Sequence, residues 1–174
     1  MSEQYLISSF DRPTTAAAVV IVTGTSIHTL LQVKLDDTGQ MRAKVVEWGI
    51  SFDASAAATP GQVELLSTKT VACTGMDAHV AAGIVNLDPL AAAPTTDNPF
   101  NLGTGTTAFS DGTVTEGTIT DSRPFDTQLL PPTAPFVKQW PLGREPEFDD
   151  TEFVRIRVTF GTGINAYCYM VIEV

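Results

Sequence analysis

Hydrophobic and polar residues alternate along most of this chain with the period of two that marks half-buried antiparallel strands. Residues 27–35 set Leu31, Val33 and Leu35 on one side and Gln32 and Lys34 on the other. Residues 42–52 repeat the pattern, with Val46, Trp48, Ile50 and Phe52 opposed to Glu47 and Ser51. Residues 16–22 and 62–68 predict two further strands, the second opened by Pro60-Gly61. The middle of the chain, 86–135, holds seven of the eleven prolines. It reads as long loops with short strands at 106–109 and 113–120. A helical period is nearly absent; the one candidate helix, 77–85, contains Gly83.

The last third is the clearest. Residues 136–140 form a short strand closed by Pro141-Leu142-Gly143. In 152–160, Val154, Ile156, Val158 and Phe160 face one way, Arg155 and Arg157 the other. Gly161-Thr162-Gly163 then turns the chain, and 164–174 returns with Ala166, Cys168, Met170 and Ile172 inward, which predicts a C-terminal hairpin. Eight to ten strands in a chain of 174 residues predict an all-β fold, a two-sheet antiparallel β-sandwich of the jelly-roll kind. Residues 14–174 form a single domain, preceded by an N-terminal arm or packing segment, residues 1–13.

Composition sharpens this picture. Charged residues make up 17% of the chain, against about 25% in ordinary domains. A neutral surface of that kind suits a protein later covered by partner subunits. The formal net charge is −10. That sign repels phosphate backbones and anionic membranes, so neither nucleic acid nor membrane is an expected partner. The first residues lack the basic start and apolar stretch of a signal peptide. The longest clean apolar run, 16–22, is far shorter than the ~20 residues that span a bilayer. A chain made and kept in a cytosol is expected.

Chemistry is sparse. Cys73 and Cys168 belong to no CxxC, and His28 and His79 lie far apart, so a zinc site of the usual spacing is absent. Two buried thiols are favoured over a disulfide. Gly161–Ala166 and Gly103–Ala108 match a dinucleotide-binding pattern loosely. The first is followed by a strand rather than a helix, and the second lies in a Thr/Gly loop, so neither presents a helix N-terminus to phosphate. The acidic run Glu145, Glu147, Asp149, Asp150 and Glu152 lacks the spacing of a calcium loop and reads as solvated. No G-x-S-x-G occurs. The expectation is a non-enzyme with no metal and no cofactor.

What remains is apolar surface without an assigned place. Tyr167, Tyr169 and Val171 lie on the outer face of the last strand, making it apolar on both sides. Tyr5, Leu6, Ile7 and Phe10 precede the first strand. Arg144 sits in the loop Pro141–Pro146, held stiff by its two prolines. These eight residues are the candidate interface.

Three segments, Val46-Glu47-Trp48-Gly49-Ile50-Ser51-Phe52-Asp53, Val63-Glu64-Leu65-Leu66 and Gln139-Trp140-Pro141-Leu142-Gly143-Arg144-Glu145-Pro146, carry a likeness that the closing strand with Ala166-Tyr167 completes. In order and spacing they resemble a family of small proteins encoded among the virion genes of tailed bacteriophages. The likeness spans about residues 28–174, more weakly in the middle, and its motifs are structural. It implies a jelly-roll virion component, most naturally a capsid decoration (cement) protein. The implied partners are the major capsid protein and further copies of the chain, a trimer being favoured, and the implied location is the capsid surface after synthesis in the host cytoplasm. The alternative is a carbohydrate-binding β-sandwich of a head or tail fibre. Residues 89–101 and the N-terminal segment depart from the family's pattern.

Overall fold

A computed structural model describes residues 2–11, 21–23, 25–37, 40–53, 59–69, 71–90, 93–95 and 99–174. Thirteen strands run through them: β1 (Gln4–Ser8), β2 (Ile21–Val22), β3 (His28–Lys34), β4 (Arg42–Asp53), β5 (Gly61–Lys69), β6 (Thr74–Ala78), β7 (Val85–Asn86), β8 (Ala108–Thr115), β9 (Ser122–Leu130), β10 (Phe136–Gln139), β11 (Glu147–Asp149), β12 (Glu152–Thr159) and β13 (Asn165–Glu173). They form two antiparallel sheets packed face to face. One has the order β10-β4-β13-β1-β7, with β11 beside β4 and β2 beside β13; the other has the order β6-β8-β3-β12-β5-β9. No helix among the described residues is long and apolar enough to cross a membrane.

The alternation seen in the sequence builds the core. From the first sheet Ile7, Val45, Trp48, Ile50, Cys168, Met170 and Ile172 point inward; Leu31, Val33, Val63, Leu65, Val154, Ile156 and Val158 meet them from the second. Trp48 is fully buried, its ring 5.2 Å from Phe136, and Phe52 meets Phe160 edge-on at 5.3 Å. Cys73 and Cys168 are both free and buried.

Several expectations need correction. Strands β12 and β13 do not form a hairpin: Gly161-Thr162-Gly163 carries the chain from one sheet to the other, so β12 pairs with β3 and β5 while β13 pairs with β4 and β1. Alternation reads which face is buried, not which strand is the neighbour. Val46 does not share the inner face with Trp48. Val171 lies opposite Glu47 and Ile172 opposite Val45, so Val46 is the extra residue of a bulge and Val45 takes the core place. The candidate helix at 77–85 is the end of β6, a single 3-10 turn at Ala81–Gly83, and the start of β7. Strand β9 fills part of the stretch read as loop; its Pro124 is tolerated because β9 is an edge strand. Of the strand expected at 16–22, only Ile21–Val22 lies within the described residues.

Strand β3 is buried on both faces because the second sheet is covered on its outside as well. Arg155, 0% exposed, donates to the carbonyl of Val71 and, at 3.3 Å, to that of Glu116. The Glu116 carboxylate accepts from the Thr29 hydroxyl at 2.7 Å and sits 3.5 Å from the guanidinium. The Cys73 N–H donates to Gln32 Oε1 at 2.8 Å. Chain around 71–73 and 116 thus lies across the sheet and gives Thr29, Gln32 and Arg155 hydrogen-bond partners, with Arg155 Nε left without one among the described residues.

Trp48→Ala is expected to destabilise the fold by about 3–5 kcal/mol, the usual loss for a large buried aromatic. Urea unfolding of the variant measures it; a midpoint equal to that of the parent chain would show that the indole is not a core element.

Candidate functional site

The register of the first sheet places a row of side chains on its outer face. Across the sheet, Val137 pairs with Gly49, Gly49 with Tyr169 and Tyr169 with Ser8. The next row is Gln139, Glu47, Val171, Leu6 and Val85, and on the other side Ser51 pairs with Tyr167. Glycine at 49 is needed here: a Cβ would stand 2.6 Å from the Tyr169 ring, which lies over the backbone at that point. The Tyr169 hydroxyl donates to Glu47 Oε1 at 2.6 Å. Burial pushes the phenol's pKa up to about 12, with the hydrogen bond and charge of Glu47 adding to it. Phe10 meets Tyr167 edge-on at 5.5 Å.

These residues line an apolar groove of about 490 Å³, closed on one side by Pro135, Phe136 and Val137 and on the other by Leu6, Phe10 and Leu87. Five of the eight candidate interface residues therefore come together: Leu6, Phe10, Tyr167, Tyr169 and Val171. Tyr5 and Ile7 do not join them. The segment that holds them is strand β1, hydrogen-bonded between β13 and β7, and the alternation of that strand turns both side chains into the core, at 3% and 0% exposure. Residues 4–8 thus pack on their own domain. Arg144 stands apart from the groove, on an exposed turn where its N–H donates to the Pro141 carbonyl at 2.9 Å. Sequence reasoning missed Val137, Pro135 and Leu87, because their place depends on which strands are neighbours.

A second cleft, about 400 Å³, lies at one end of the sandwich and is polar, lined among others by Arg42, Lys69, Arg123, Glu147, Asp149 and Glu152. Its charges are engaged with one another. Arg123 Nη2 donates to Glu152 Oε2 at 2.8 Å, and Lys44 stands 3.8 Å from Glu147. The Thr151 hydroxyl donates to Asp149 at 2.6 Å and is the main reason that this carboxyl is held below its usual range; Lys69 and Arg42 add to it. Three carboxylates of the acidic run, Glu147, Asp149 and Glu152, take these partners, and Glu152 is buried rather than solvated; no group of three or more His, Cys, Asp or Glu among the described residues is placed to hold a metal ion.

Both histidines are buried. His28 Nε2 and the Ser110 hydroxyl are 2.7 Å apart, a contact in space that spacing could not show. Ser110 is 1% exposed and also accepts the Gly112 N–H at 3.0 Å, so the hydroxyl is a structural partner rather than an accessible nucleophile. His79 is 0% exposed, with Nε2 2.9 Å from the Ser8 carbonyl and Nδ1 3.8 Å from an Asp11 oxygen. Burial lowers the pKa of both rings from the ordinary 6.5.

Two predictions follow from this geometry. The unfolded chain binds protons at these histidines more readily than the folded one, so their stabilising contribution is full above pH 6.5 and is lost as pH falls below it towards the depressed folded values. The slope is at most about 1.4 kcal/mol per pH unit for each histidine. His79→Gln should flatten the dependence of urea midpoints on pH between 7 and 5; an unchanged slope would remove His79 from the account. In the groove, Gly49→Ala should push the Tyr169 ring aside and away from Glu47, bringing the phenol's titration down from about 12 towards its ordinary value. Ring-carbon NMR followed against pH reads this directly, and an unmoved titration would mean that the ring does not depend on the glycine.

No protein-family model, no curated protein and no solved structure matches this chain.

Proposed function

We propose that this chain is a structural protein of a bacteriophage virion, a capsid decoration protein of the jelly-roll kind that binds between major capsid subunits. The observation that carries the reading is the apolar groove on the outer face of the first sheet. It gathers Leu6, Phe10, Val137, Tyr167, Tyr169 and Val171 into one continuous surface. Grouped apolar side chains on an outer face mark a place where another protein docks, and tyrosines are enriched at such contacts. The resemblance of 46–53, 63–66 and 139–146 to virion proteins of tailed phages supplies the setting. The acidic net charge of −10 suits a protein that works on the outside of a container of DNA without binding what it holds.

The carbohydrate-binding alternative draws on the same aromatics, since sugar faces stack on them. Sugar hydroxyls also need polar groups set around the ring. The groove offers Ser8, Ser51 and Glu47, and Glu47 already accepts the Tyr169 hydroxyl. The apolar character of the surface favours protein.

The purified chain should bind expanded capsids saturably, at a fixed stoichiometry, and should bind neither DNA nor surface glycans. Tyr167→Ser with Tyr169→Ser should leave the fold intact by circular dichroism and weaken assembly at least tenfold, because interface aromatics carry a large share of binding energy. Binding of the double variant with parent affinity would remove the groove from the mechanism; glycan binding without capsid binding would favour the alternative.

A further inference from the structure

The border of the groove at Phe10 leads to a buried histidine. Ser8, two residues before Phe10, offers its carbonyl to His79 Nε2 at 2.9 Å, and Asp11, the next residue, sets Oδ1 3.8 Å from His79 Nδ1. One imidazole thus meets the chain on both sides of Phe10, whose ring lies edge-on to Tyr167 at 5.5 Å and lines the groove. The imidazole itself is held in place. The His79 N–H donates to the Thr107 carbonyl and the His79 carbonyl accepts from the Gly103 N–H, each at 2.9 Å, and the ring lies 4.9 Å from that of Phe109. The chain before Phe10 is held as well: the Ser9 N–H donates to the Cys168 carbonyl at 2.8 Å, and the Ser9 hydroxyl accepts the Cys168 N–H at 2.9 Å. Asp11, whose side chain is 62% exposed, is the member with room to move.

A carbonyl only accepts, so the contact with Ser8 puts the proton of the neutral ring on Nε2 and leaves a lone pair on Nδ1. Nδ1 is buried and has no hydrogen-bond partner among the described residues. It faces the Asp11 carboxylate, which is also an acceptor. Two acceptors with no proton between them do not close to the roughly 2.7–3.2 Å of a hydrogen bond, and the separation of 3.8 Å fits that. Gly83, in the single 3-10 turn, leaves the pair its space: a Cβ there would stand 2.9 Å from Asp11 Oδ1 and 3.1 Å from His79 Nδ1. The other neighbours of the ring, Ser8, Gly83 and Phe109, carry no charge, and Asp77, two residues earlier on β6, is exposed. The charge that acts on the ring is that of Asp11.

We propose that His79 and Asp11 form a clasp that closes in acid: protonation turns Nδ1 into a donor, Asp11 closes on it, and residues 8–11 are pinned to one imidazole at both ends, which fixes the Phe10 ring against Tyr167. With the ring neutral, the segment is held to His79 at the Ser8 end alone. Burial favours the uncharged ring and outweighs the pull of Asp11, so closure takes place below the ordinary 6.5 of histidine. Stability and closure therefore run in opposite directions. Acid costs folding free energy because a charge is buried, and that same charge draws Asp11 in. The border of the groove at Phe10 is firmer in acid than at neutral pH. The clasp acts within one chain and does not depend on what the groove receives.

NMR of the full chain from about pH 8 to about pH 4.5 reads the clasp directly. The His79 ring should titrate with a midpoint below 6.5, and the ring signals of Phe10 and Tyr167 should shift with that same midpoint. In Asp11→Asn, a change at an exposed side chain, the His79 midpoint should fall by a further ~0.2–0.7 pH unit, the measure of a partly exposed ion pair. The rings of Phe10 and Tyr167 should then no longer follow it. In His79→Gln both rings should be insensitive to pH over the range; should that variant fail to fold, Asp11→Asn carries the test alone. A His79 that does not titrate in this range, rings of Phe10 and Tyr167 that ignore its titration, or rings that follow it as closely in Asp11→Asn as in the parent would each overturn the clasp. Failure here leaves the proposed function standing, and a chain that binds no capsid leaves the clasp standing.

Discussion

Strand β13 carries apolar side chains on both of its faces, and each face has to be kept from water by something. Its inner residues, Ala166, Cys168, Met170 and Ile172, are buried against the opposite sheet. Its outer residues, Tyr167, Tyr169 and Val171, are half-buried and line the groove. The pairing with β4 serves both demands. On the inner side it sets Met170 beside Trp48 and Cys168 beside Ile50; on the outer side it sets Tyr169 beside Gly49, where the missing side chain leaves the ring its room. The bulge at Val46 matters for the same reason. It shifts the phase of β4 so that Val45 and Trp48 both point inward while Glu47 stays outside, within reach of the Tyr169 hydroxyl.

The two outer faces of the sandwich solve the covering problem differently. On the second sheet the chain covers itself. Arg155 and Glu116, with Thr29 and Gln32, form polar contacts with the chain lying over them, and the buried guanidinium has a carboxylate beside it. Removing one partner of such a pair leaves the other charged and buried, which costs several kcal/mol, typically about 3–5. That cover is therefore fixed in place. The groove on the first sheet is bordered by the chain but not filled by it. The difference is visible in composition: charged and amide side chains face the internal cover, whereas rings and aliphatic side chains face the groove.

The sequence was informative where a single strand decides the outcome. The inward sets of β12, of β13 and of most of β4 could be read by alternation alone, as could the all-β class and the two-sided apolar character of the last strand. It was silent on pairing. Nothing local distinguishes a hairpin turn at Gly161-Thr162-Gly163 from a crossing between sheets, since both need the same flexible residues. The burial of Tyr5 and Ile7 follows only from β1 lying between β13 and β7, which no local pattern shows. The bulge that takes Val46 off the inner face leaves no mark in a pattern of period two. For the same reason the groove was half legible. Its residues on β13 and near the N-terminus could be named, but the wall at Pro135–Val137 comes from a strand distant in sequence.

The edges of the first sheet bear on which kind of association is open to this molecule. Strand β10 is an edge, and an unprotected edge invites pairing with the edge of another chain. Three features oppose that here. β10 is only four residues long, prolines stand just before and shortly after it at 135 and 141, and Lys138 turns inward, 3.1 Å from the buried Asp126 of β9. An inward-pointing charge on a short edge strand is a known guard against growth of the sheet. Association through backbone pairing is thus discouraged, while the adjoining face, with Val137 at its border, stays apolar. Guarding the edge while leaving the adjoining face apolar therefore leaves side-chain contact across that face, rather than extension of the sheet, as the open route for another molecule to meet it.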